Sequence, residues 1–262
     1  MTKLNKPIVL AAAMASLLGT FEAKAQFTYL DNDLLLNFRQ TDGGASDLNL
    51  TVNLGSVLTF RNLTGTTSIS QFTAGQLTTA FTDFNNLAFS VVATEKSNPA
   101  TSPYVNNTYW ATVGRAVNGV ANTAPDRLGA LSQGGVAGKI ASIGINADSA
   151  GSDLTATATM TIDGNGTSYH SQVGSGTFAG SISYNVEQTT GAAFSGTVEA
   201  DLFELIPGSG ASTRLGHFEL NSSGAMTYTS VTPVPEPATC ALVAAGLALV
   251  AAVRRRNSSS NV

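Results

Sequence analysis

Cysteine is almost absent from this 262-residue chain, where Cys240 stands alone. No intrachain disulfide and no thiolate zinc cluster can be built from it. Charge is also scarce. Only 11% of the residues are Asp, Glu, Lys or Arg, against about a quarter in an ordinary soluble domain. That excludes a coiled coil and a highly charged disordered chain. The formal charge of −4 supplies no basic face to neutralise phosphates, which excludes nucleic acid as a partner. Charge is replaced by 32 Thr, 26 Ser, 19 Asn and 26 Gly. Thr favours a pleated, half-exposed backbone, and Gly and Asn favour turns. A helical bundle is excluded, and the polar surface is expected to consist of hydroxyls and amides.

The first 25 residues read as a secretory signal. Lys3 and Lys6 make a positive start, and Ile8 to Leu18 is an uninterrupted apolar or small run. Ala23-Lys24-Ala25 supplies a small-x-small cleavage site that leaves Gln26 as the first mature residue. The implied partners are the Sec translocon and signal peptidase.

At the other end, Pro235-Glu236-Pro237 precedes an apolar run from Ala238 to Val253, and Arg254, Arg255 and Arg256 follow. A 16-residue helix reaches roughly 24 Å, short of the roughly 30 Å hydrocarbon core. It still serves as a transient inner-membrane anchor if the arginines snorkel and the bilayer thins. The arginines stay cytoplasmic by the positive-inside rule, which leaves the body of the chain outside. Cys240, inside this run, reads as a small hydrophobe.

Pro-Glu-Pro, an apolar helix and an arginine cluster in that order resemble the PEP-CTERM sorting signal, over roughly residues 233–262. The resemblance implies an exported protein of a Gram-negative bacterium that also makes extracellular polysaccharide. It implies processing near Pro235 to Pro237 by exosortase, a membrane-embedded cysteine transpeptidase-like protease. It says little about residues 26–232, because the signal is attached to many unrelated domains. The chain therefore divides into a signal peptide (1–25), a β-rich extracytoplasmic domain (26–232) and a sorting signal (233–262).

From Gln26 to Pro237, seven basic residues stand against sixteen acidic ones, a net charge of −9. Such a domain suits solubility and weak divalent-cation contacts rather than anionic partners. Asp33 to Arg39 reads as a strand, and Leu48 to Leu54 alternates with period two, with Val57 to Phe60 as a continuation. Thr73 and Gln76 form a capping-box pattern ahead of a helix near 74–84. Strands are expected at Leu87 to Thr94, Tyr109 to Val113, Leu154 to Ile162, Thr167 to Val173, Phe178 to Val186, Thr197 to Ile206, Leu215 to Leu220 and Met226 to Val231. Residues 95–107 read as a loop. Residues 114–152 are Gly- and Ala-rich without clear period, with a short helix at Pro125 to Leu131. The expected fold is all-β, a β-sandwich of antiparallel sheets with one or two short helices, plus a signal helix and a C-terminal transmembrane helix. Asp33 to Phe60, with its Val52-to-Ser56 turn, and the stretches Asp201 to Leu205 and Leu215 to Leu220 also resemble PEP-CTERM proteins of unknown role. They imply no catalytic residues.

Candidate chemistry is sparse. His170 and His217 are the only histidines, without a nucleophile-elbow motif, and are expected to face solvent from strands. Glu199 and Asp201 lie two apart on one strand and share a face. Paired carboxylates serve glycoside hydrolysis, but a solvated face is the plainer reading. Asp163-Gly-Asn165-Gly and Asp31-Asn-Asp33 offer oxygens to calcium, though neither matches the twelve-residue loop. Asn-x-Ser/Thr sites occur at Asn49, Asn62, Asn106, Asn165 and Asn221. No catalytic residue, metal site or cofactor is expected. The leading expectation is a non-catalytic, exported surface or matrix protein associated with exopolysaccharide. A carbohydrate-binding module using exposed Trp110, Tyr109 and Tyr104 is the second, and a polysaccharide-acting enzyme the third.

Overall fold

The computed structural model describes residues 26–41, 48–96, 102–164, 166–178 and 181–231. The signal peptide with Ala23 and Ala25, Asn165, Cys240, Pro235 to Pro237, the apolar run and Arg254 to Arg256 lie outside the described residues. Gln26 is described and exposed.

Period-two alternation organises the molecule. In β1 (Asp33–Gln40) and β2 (Leu48–Ser56) the even-numbered side chains Leu34, Leu36, Phe38, Leu50, Val52 and Leu54 enter one core. In β4 (Leu87–Thr94) the odd-numbered Phe89 and Val91 take the same side, because the register sets Phe89 opposite Phe38, and in β5 (Tyr109–Gly114) Trp110 continues the pattern. It continues through β9 (Thr197–Leu205), β10 (Thr213–Asn221) and β11 (Met226–Ser230), with Ala200, Leu202, Phe218 and Tyr228. Successive side chains of a strand point to opposite faces, so these strands build one apolar face. Short strands complete the set: β3 (Thr66–Ser68), β6 (Ser152–Asp153), β7 (Ala158–Ile162) and β8 (Gln188–Thr189).

These eleven strands form one antiparallel sheet, in the order β3-β11-β10-β9-β5-β4-β1-β2-β7-β6, with β8 beside β4. The β-rich, antiparallel expectation holds. The expected division into two packed sheets is replaced by one continuous hydrogen-bonded sheet with helices covering its faces. Helix α1 (Val57–Asn62) and helix α2 (Ala74–Ala80) pack Val57, Phe60 and Leu77 onto this apolar face. Helix α3 (Ala130–Ala150) and helix α4 (Tyr169–Val173) bring Val136, Ile140, Ile143, Tyr169 and Val173 to the opposite face, against Leu35, Val92, Ala111 and Phe203. Both ends of the sheet carry strands of two or three residues, which blunts the edges against strand addition.

The helix near 74–84 forms at Ala74–Ala80, and its capping box is present: Thr73 Oγ1 accepts from the Gln76 N–H, and the Gln76 side chain accepts from the Thr73 N–H. Three other expectations are corrected. Val57 to Phe60 turns into α1, where Ser56 caps the Leu58 N–H. Thr167 to Val173 is helical, because Ser168 caps the Ser171 N–H and starts α4. The described part of Phe178 to Val186 is irregular, anchored by Phe178 and Val186 in the second core. The 21-residue α3 is the largest departure. No described helix is long and apolar enough to cross a membrane.

Candidate functional site

The face opposite that core carries much of the buried polar chemistry. Asn37, Asn49, Thr51 and Ser90 are buried there, and Thr112 is buried where β5 meets the Val186 segment. Thr51 donates to Asn37 Oδ1 at 2.9 Å, and Asn37 donates to the Leu35 carbonyl at 3.0 Å. Thr112 donates to the Val186 carbonyl at 2.7 Å and accepts from the Val91 N–H at 3.0 Å. Part of the hydroxyl- and amide-rich composition therefore sits inside the protein. A buried polar group is tolerated when it is hydrogen-bonded.

Glu199 and Asp201 share the face that their spacing requires, but that face is buried rather than solvated. Arg115, just past the end of β5, reaches between them. Its Nη1 pairs with Glu199 Oε2. Its Nε and Nη2 donate to Asp201 Oδ1 at 3.0 and 2.6 Å, and Arg214 Nε donates to the same oxygen at 2.7 Å. Asp201 Oδ2 accepts from the Asn122 N–H at 2.7 Å and from Asn122 Nδ2 at 3.1 Å. The Gly119 N–H donates to Glu199 Oε2 at 2.8 Å. Two arginines neutralise two carboxylates, and residues 118–122 are strapped over them. Burial pushes the Asp201 carboxyl up, but the Arg115 hydrogen bond, the Asn122 N–H and Arg214 outweigh it and hold the group below the usual carboxylate range. His217 stands opposite Asp201 in the β9–β10 ladder. Burial, then the nearby Arg115 charge, lower its pKa.

His170 is in α4 rather than on a strand, and its Nδ1 lies 2.8 Å from Asp163 Oδ2. Asp163 Oδ1 accepts from the Gly164 N–H, Ser168 Oγ and Ser171 Oγ, each at 2.8 Å. Both serines thus bond to the carboxylate and not to the imidazole, which is not the order a hydrolytic triad needs. Asp33 Oδ2 is engaged by the Leu30 N–H and Asn53 Nδ2. Among the described residues no group of three His, Cys, Asp or Glu is placed to hold a metal ion.

The aromatic trio is not on the surface. Trp110, Tyr109 and Tyr104 are all buried. Trp110 meets Tyr104 edge-on at 4.6 Å between ring centroids, with Arg61 5.5 Å above the Tyr104 ring. The Tyr109 and Tyr184 hydroxyls are 2.8 Å apart. A platform of exposed rings for sugar stacking is therefore overturned. Among the Asn-x-Ser/Thr sites, Asn49 is buried and accepts from the His170 N–H. Asn221 holds a turn by accepting from the Ser223 and Ala225 N–H groups. Asn62 and Asn106 are exposed.

The sequence reading missed Arg115 and the pair Arg39–Glu187. An arginine directly after an apolar strand residue, as in Phe38-Arg39, is the signal that could have marked such a pair.

A sorting signal lies elsewhere in the chain, where residues 233–256 match the family model of the PEP-CTERM protein-sorting motif. The chain carries a PEP-CTERM sorting motif. The matched stretch contains Pro235, Glu236 and Pro237 and ends on Arg254, Arg255 and Arg256. No curated protein and no solved structure matches the chain. A PEP-CTERM motif marks an exported protein with a membrane-anchored precursor that exosortase processes. The motif occupies a small part of the chain and assigns no chemistry to the sheet.

Proposed function

We propose that this PEP-CTERM protein is a non-catalytic surface or extracellular-matrix component of a Gram-negative bacterium, associated with exopolysaccharide. The observation that carries the reading is the sorting motif at 233–256. Export begins at the Sec translocon, and signal peptidase cuts between Ala25 and Gln26. The apolar run holds the precursor in the inner membrane until exosortase removes it.

The arrangement of the domain supports a structural role. Both carboxylates that resembled a glycosidase pair are tied to Arg115 and to backbone N–H groups. A general acid or nucleophile needs access to substrate, and Asp201 has no exposed surface. Polymer association rests on the exposed hydroxyl-bearing residues and on the low charge, which suit many weak hydrogen bonds to hydrated glycan.

The test is intact mass with mapping of both termini on protein recovered from its native host. A chain that starts at Gln26 and ends near Pro237 is the expected result. A chain that retains Arg254 to Arg256 would sink the processing step. Co-purification with exopolysaccharide that survives high salt is expected for the matrix role, and clean separation from the polymer contradicts it.

A further inference from the structure

The last strand of the domain ends very close to the sorting motif. β11 closes at Ser230, and the matched motif begins at residue 233. Ser230 is pinned: its N–H and its hydroxyl both point to the Gly65 carbonyl, at 3.0 and 3.3 Å. From Ser230 to Pro235 there are five residues, which reach at most about 18 Å when fully extended. A domain of this size has a radius of gyration of about 17 Å, so the fully extended tether is about as long as that radius. A protease acting near Pro235 therefore works within about 18 Å of the end of β11.

The end of β11 lies between Gly216 of β10 and the corner around Gly65. Asn62, Thr64, Gly65 and Thr66 are exposed there, at the end of α1 and the start of β3. Arg61 is the one charged residue from Val57 to Ser68. Residues 57–68 hold no carboxylate of their own, and Arg61 lies 3.7 Å from the buried Glu204 carboxylate. Gly65 has φ +76° with open space around its Cα, and the turn bends tightly without a projecting side chain.

We infer that this corner, residues 61–66, is the surface on which the membrane-embedded processing protease docks while it cuts the chain. The inference rests on the sorting reading above and adds the contact surface that a short tether imposes. The corner needs to be low, because any bulk placed there separates the protease from its site.

The experiment follows conversion of the full-length chain in the native host by pulse-labelling. It compares the unmodified chain with Thr64→Trp and Asn62→Trp, each with and without about twelve Gly/Ser residues inserted between Thr232 and Pro233. Such an insert adds roughly 20 Å of flexible reach. The Trp variants are expected to slow conversion by about tenfold, and the insert is expected to restore the unmodified rate. Trp variants that convert at the unmodified rate overturn the docking surface. So does slow conversion that the insert fails to relieve, since that effect does not act through proximity. If the unmodified chain is never cut, the sorting reading itself fails, and this is distinguishable from equal cutting of every variant.

Discussion

Arg39 and Glu187 lie 148 positions apart in sequence and meet as a bidentate ion pair, with Nε to Oε1 and Nη2 to Oε2 both 2.7 Å. The pair is buried, and the Tyr169 hydroxyl lies 2.8 Å from Glu187 Oε1 and 2.7 Å from Ser90 Oγ. It ties β1 to the irregular segment before β8 and to α4. Removing one partner leaves an uncompensated buried charge, which costs about 3–5 kcal/mol. Arg39→Met and Glu187→Leu are each expected to lower the stability read by urea unfolding by that amount. The double variant should lose less than the sum of the two. Additive losses would show that the two groups are not coupled.

Acid should destabilise the protein in two windows. His217 has a folded pKa below its unfolded value of about 6.5. It contributes stability that is present above that pH and is lost as pH falls through the folded value. Asp201 and Asp163 are also held below their ordinary range. Their contribution is complete above about pH 4 and is lost as pH falls further. Urea midpoints from pH 7.5 to 3 should therefore decline first around His217, then around the carboxylates. His217→Gln is expected to abolish the first decline and keep the second. A first decline that persists in His217→Gln assigns it to another group.

Legibility followed periodicity. β2 was readable because apolar and polar residues alternate strictly along Leu48 to Leu54, while β1, β4, β5, β9, β10 and β11 were readable as short apolar-rich runs bounded by turns. Helix α3 was not readable. Val136, Ile140, Ile143 and Ala147 do form a buried helical stripe, but Gly134, Gly135, Gly138 and Gly144 dilute it, and Gly129 offers no side-chain cap. Thr167 to Val173 misled because Thr, Ser, Tyr and Val suit strands, while the Ser168 cap decided for a helix. The sorting motif was fully legible, since it is linear and needs no fold to be recognised. The pairing of Arg115 with Glu199 and Asp201 was not, because it depends on which strands become neighbours.

The glycines of α3 can be separated by what surrounds them. A Cβ on Gly138 would meet nothing nearer than Lys96 Nζ at 3.9 Å, and one on Gly135 nothing nearer than Ser181 Oγ at 3.6 Å. Gly to Ala in a helix interior gains about 0.8–1 kcal/mol, so Gly135→Ala and Gly138→Ala are expected to raise the melting temperature. A Cβ on Gly144 would lie 2.5 Å from the Tyr29 ring. Gly144→Ala is therefore expected to destabilise by about 1–3 kcal/mol, as overpacking does. Equal stabilisation by all three would contradict the packing of Tyr29 on α3.

All six tyrosines resist ionisation. Burial, the largest cause in each case, raises Tyr29, Tyr104, Tyr109, Tyr169, Tyr184 and Tyr228 above the usual phenol value, with Tyr109 pushed up to about 12. A raised phenol contributes stability that is present below the unfolded pKa of about 10 and is lost as pH rises through the folded value. The native protein should show almost no phenolate absorbance near pH 10. Above that, absorbance should rise together with loss of the sheet signal in circular dichroism. Early phenolate absorbance without unfolding would place a tyrosine on the surface.

Trp110 distinguishes the structural reading from sugar binding most directly. It is the sole tryptophan, it is fully buried between strands, and its β9 neighbour in the ladder is Glu204. Truncating a buried Trp to Ala costs about 3–5 kcal/mol, so Trp110→Ala is expected to lower the unfolding midpoint sharply. Its emission should be blue-shifted and poorly quenched by acrylamide in the native state. Adding exopolysaccharide should leave that emission unchanged even where the protein sediments with the polymer, because association then occurs through the hydroxyl-rich surface. A saturable shift in Trp110 emission on adding polysaccharide, at constant stability, would return the ring to the binding surface and overturn its assignment to the core.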